Sequence, residues 1–102
     1  MAQEYVKYKL HEAVEALAAS AFPIQRRLFN AWLILHTSKA EDFDNAADGQ
    51  RFAAVMEALT AREATADEGD AQATTSHLTD DEAEAIAKQI VELDTICRPL
   101  LD

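Results

Sequence analysis

Leu28-Phe29-Asn30-Ala31-Trp32-Leu33-Ile34-Leu35 is the stretch on which the fold turns. It is apolar almost all round, and its apolar residues recur at helical spacing. Ile24, Leu28, Ala31 and Leu35 form one stripe of a helix over about 23–37. Phe29, Trp32, Leu33 and His36 form a second, again at i, i+3, i+4, i+7. A helix with two apolar faces is either central in its bundle or touches something outside the monomer. With few other helices to surround it, the reading favours a homodimer contact through Phe29, Trp32, Leu33 and His36. Internal packing and a groove for a foreign helix are the alternatives.

Upstream, a first helix is expected over about 3–19. There Val6, Leu10, Ala13, Val14 and Leu17 fall within about 120° of arc. Pro23 ends that element and suits the first turn of the next. So short a link predicts that the first two helices form an antiparallel hairpin.

Downstream, residues 38–45 read as a connector. Ser38 and Glu41 have capping-box spacing, and Asp42, Asp44 and Asn45 favour local side-chain bonds. Phe43 would plug its underside. A third helix is expected over about 46–61, with a Phe52, Val55, Met56, Leu59 stripe. Gly49 weakens its first turns by about 1 kcal/mol relative to alanine. Residues 62–77 hold no large apolar side chain and read as a long mobile connector, although their alanines could extend the third helix. The fourth helix, over about 80–97, has a clear start. Thr79 and Glu82 form a capping box, and Asp80 and Asp81 suit the positive end of the helix dipole. Ala83, Ile86, Ile90, Leu93 and Cys97 make its buried stripe, and Pro99 stops it. The expected architecture is all-α: a four-helix bundle-like arrangement in a single helical domain over 1–102.

Composition narrows the function. Two glycines in 102 residues are too few for most β-rich folds, and Gly49 and Gly69 stand apart. No P-loop or dinucleotide-binding loop fits. One cysteine precludes an internal disulfide. No apolar run has the ~18 residues of a membrane span, and Met1-Ala2-Gln3-Glu4-Tyr5 lacks the start of a signal peptide, so a cytoplasmic protein away from membranes is expected. The formal net charge is −10. Residues 1–36 carry four basic and three acidic side chains (+1), and residues 37–102 five and sixteen (−11). Direct nucleic-acid binding is disfavoured, whereas a basic protein surface is an electrostatically acceptable partner.

Chemistry-bearing residues are sparse. Arg26 and Arg27 sit in the first turn of a helix, where the dipole disfavours cations, so they read as anion-binding or ion-pairing candidates. Asn30 either fixes helix register or lies exposed. His11 and Glu15 have i, i+4 spacing, yet no third ligand accompanies them, and Asp42-Phe43-Asp44-Asn45 lacks the rest of a calcium loop. No metal, cofactor or catalytic residues are assigned. The expected function is a noncatalytic protein–protein interaction module or small regulator acting as a helical homo-oligomer. The alternatives are an acidic nucleic-acid-mimic decoy that binds a basic protein surface, and a small-ligand binder or enzyme with an interhelical or interface pocket.

Overall fold

The computed structural model describes residues 2–64 and 69–97. Among them five α-helices form and no strand: α1 (Ala2–Ala18), α2 (Ile24–Leu35), α3 (Ala46–Leu59), α4 (Gly69–Ser76) and α5 (Asp80–Cys97), with a 3₁₀ turn at Ala40–Asp42. The expected first three helices are α1 to α3 and the expected fourth is α5. The stop expected at Pro99 lies outside the described residues.

The correction falls in 62–77, where Gly69–Ser76 is a helix rather than irregular connector. Its small side chains do the burying: Ala71, Ala73, Thr74 and Thr75 are all covered. Alanine has the best intrinsic helix propensity, and α2 and α3, against which α4 packs, supply the large apolar partners that this segment lacks. Two side chains tie the incoming chain to it. The Thr74 hydroxyl accepts from the Arg62 backbone N–H (2.9 Å) and donates to the Asp70 carbonyl (2.8 Å). The Asp70 carboxylate accepts from the Ala64 N–H (2.9 Å).

Local chemistry sets the other boundaries. Arg27 closes α1, its Nη1 donating to the Leu17 carbonyl (2.7 Å) and its Nε to the Phe22 carbonyl (2.8 Å). A cation there meets the negative end of α1 and carbonyls that the helix cannot satisfy itself. Pro23 is the N-cap of α2, and its carbonyl accepts the Arg27 N–H (3.1 Å). The cap expected from Ser38 and Glu41 forms one residue later: the Asp42 carboxylate accepts from the Lys39 N–H (2.9 Å). Ser38 is instead buried, and its hydroxyl has no hydrogen-bond partner among the described residues. Asn45 caps α3 through Oδ1, which accepts from the N–H groups of Ala47 (2.8 Å) and Asp48 (3.2 Å). The Thr79–Glu82 capping box on α5 is reciprocal, with bonds of 2.9 and 3.1 Å. Hydrogen bonds from Thr79, its backbone N–H foremost, hold the Glu82 carboxyl below its ordinary range.

The core joins one face of each long helix. Leu10 of α1, Leu28 and Leu35 of α2, Leu59 of α3 and Ile90 of α5 are fully covered, each worth about 1.5–3 kcal/mol of burial. Phe43 closes the cluster from below, its ring 5.2 Å from that of Phe52. Gly49 is where α3 crosses the 3₁₀ turn: a Cβ there would stand 2.6 Å from the Ala40 carbonyl oxygen. The glycine that looked like a flaw in the helix is required by this close approach. Cys97 ends the α5 stripe, buried, and burial pushes its thiol above the ordinary value, with the charges of Asp48 and Asp94 acting in the same direction. No helix is long and apolar enough to cross a membrane among the described residues.

Candidate functional site

The outer side of α2 is shared between the chain's own α4 and solvent. The Phe29, Trp32 and His36 rings stack along it, Phe29 to Trp32 at 6.2 Å and Trp32 to His36 at 4.8 Å between centroids. Trp32 is half-buried and leans on the core cluster, while His36 is exposed. Phe29 is half-buried, and Leu33 is left 46% exposed. Sequence reasoning placed these four residues on one stripe. The structure divides them: Trp32 turns toward the core, and Phe29 and Leu33 turn toward α4.

Between α2 and α4 lies an open groove of about 570 Å³. Its α2 wall is Arg26, Phe29, Asn30 and Leu33; its α4 wall is Gln72, Thr75 and Ser76. The α4 hydroxyls are already engaged. Thr75, 2% exposed, donates to the Ala71 carbonyl (3.0 Å), and Ser76 donates to the Ala73 carbonyl (3.3 Å). At one end, Gln25 donates through Nε2 to the Leu78 carbonyl (3.0 Å) and to the Asp80 carboxylate (2.8 Å), which pins the start of α5 to α2.

The two arginines part company. Arg26 is exposed and lines the groove, its guanidinium 4.9 Å from the centre of the Phe22 ring. Arg27 is half-buried and lines a different, more apolar depression of about 370 Å³ between α1, α2 and α5. Its partners are backbone carbonyls rather than the carboxylates that its position suggested. Among the described residues neither arginine makes an ion pair. His11 stands 3.9 Å from the carboxylate of Asp94, which is 3% exposed. Among the described residues no group of three or more His, Cys, Asp or Glu could hold a metal ion.

Sequence reasoning missed the α4 wall. The available signal was Ala71 and Ala73, good helix formers, between Gly69 and His77. Neither protein-family models, nor curated proteins, nor solved structures yield a match to this chain.

Proposed function

We propose that this chain is a noncatalytic interaction module that works as a homodimer through the solvent side of α2. The observation that carries the reading is Leu33, large, apolar and 46% exposed, beside the half-buried Phe29 and Trp32. Charge supports it. Two copies with a net charge of −10 each repel overall, but α2 contains no acidic residue, and residues 1–36 sum to +1. A two-fold contact through this helix brings together the least acidic part of each protomer and buries the same side chains twice.

Within the protomer, the proposed arrangement is an antiparallel α1–α2 hairpin in a four-helix bundle-like body completed by α3 and α5, with α4 laid against α2. Two contacts support the hairpin. Tyr5, early in α1, lies 2.9 Å from Thr37 beyond the end of α2, and Leu17, late in α1, meets Arg27 early in α2.

Sedimentation equilibrium tests the dimer. Twice the 11.2 kDa chain mass is expected for the native protein and the single mass for Leu33→Glu. A native protein that stays at the single mass at every concentration would remove the reading. The groove favours a second reading, a small-ligand binder: its volume falls within the ~300–1,000 Å³ of such sites, and apolar and polar groups converge on it.

A further inference from the structure

We propose that the α2–α4 groove binds an amphipathic organic anion, its acid group on Arg26 and Asn30 and its apolar body against Phe29 and Leu33. The inference rests on the ligand-binder reading and names the class of ligand. Pockets for small molecules combine a mostly apolar lining with a few placed polar groups. Here Phe29 and Leu33 supply the apolar floor, and the hydroxyls of the opposite wall are turned onto their own helix. The polar groups left to meet a ligand are therefore on the α2 side and at Gln72.

Arg26 decides the sign of the ligand. Its guanidinium carbon lies 4.9 Å from the centre of the Phe22 ring, and it makes no hydrogen bond or ion pair among the described residues. Its N–H groups are therefore available to a carboxylate or sulfonate. The carboxylate at this end of the groove, Asp80, is bonded to Gln25. The start of α2 itself favours an anion, against the Asp80 carboxylate, which keeps its charge while it accepts from Gln25. The first turn of α2 holds two arginines and no acid, and its N-cap, Pro23, offers no side-chain acceptor. The positive end of the helix dipole therefore adds to the arginine charge. The Asn30 amide, half-buried one turn further along the same wall, makes no hydrogen bond within the described residues and can donate to the second oxygen.

Titration calorimetry with dodecanoate and dodecanol, each below its aggregation concentration, tests this on the full chain. The two share an apolar body and differ in charge. Dodecanoate is expected to bind one per groove and at least tenfold more tightly than the alcohol. Arg26→Gln, an exposed change whose fold is checked by circular dichroism, is expected to reduce dodecanoate to the level of the alcohol and leave the alcohol unchanged. Equal binding of both probes, or no effect of Arg26→Gln on dodecanoate, would overturn the anion assignment while the ligand-binder reading stands. No binding of either probe would overturn both.

Discussion

Replacing Gly49 by alanine sets two effects of opposite sign against each other. In an unobstructed helix, alanine is better than glycine by about 1 kcal/mol. In this chain the new methyl would stand 2.6 Å from the Ala40 carbonyl oxygen. Even weakly attractive C–H···O contacts lie at about 3.3–3.6 Å, so the overlap is on the order of 0.7 Å or more. The obstacle is backbone. The turn that carries it is fixed by the Lys39–Asp42 bond and by Phe43 buried on Phe52, so it cannot swing aside as a side-chain tip would. Forced shifts of this kind cost about 1–3 kcal/mol, with more where the neighbour is rigid. Gly49→Ala is therefore expected to lose up to about 2 kcal/mol net. At about 4–8 °C per kcal/mol for a domain of this size, the fall in Tm is readable by circular dichroism. Ala53→Gly, on the exposed side of the same helix, calibrates local propensity and should lose about 1 kcal/mol. If Gly49→Ala instead gained what Ala53→Gly loses, α3 would not cross the turn closely and the packing described here would be wrong.

Two further outcomes follow from the hydrogen bonds of Thr74 in α4 and of the capping box at the start of α5. Thr74→Val keeps the shape but strips the hydroxyl between Arg62 and Asp70, and should cost about 1–3 kcal/mol in urea unfolding; no change would mean that the bonds do not hold α4 in place. Because the folded Glu82 carboxyl sits below its ordinary value, its charge stabilises the fold above the unfolded carboxylate pKa, and that contribution is lost as pH falls through the folded value. Glu82→Gln should therefore trail the native protein in urea midpoint near neutral pH and converge with it in acid, whereas a constant gap would rule out the charge as the cause.

What could be read from the sequence was whatever is local in the chain. Thr79 and Glu82 form their box across three residues, and the α5 stripe from Ala83 to Cys97 is a matter of spacing, so both are visible without a partner. The stripes of α1 to α3 were equally plain. What escaped depends on contacts between distant segments. Gly49 looked like a weakness because Ala40 approaches it only in the folded chain. Arg27 was visibly out of place by dipole reasoning, but its partners are the carbonyls of Leu17 and Phe22 around the end of α1. Residues 69–76 lacked large apolar side chains because small ones let the segment approach α2 and α3, and no periodicity of size marks such a helix. The groove escaped with them, since one of its walls is that helix.

Isotope-filtered nuclear Overhauser spectroscopy on an equimolar mixture of labelled and unlabelled protein tests the role proposed for α2 most directly. Cross-peaks from the Leu33 methyls and the Phe29 ring to protons of the other copy are expected, and Leu33→Glu should abolish them. Cross-peaks from these residues only to their own chain, in a sample concentrated enough for weak dimers to form, would contradict self-association through this helix.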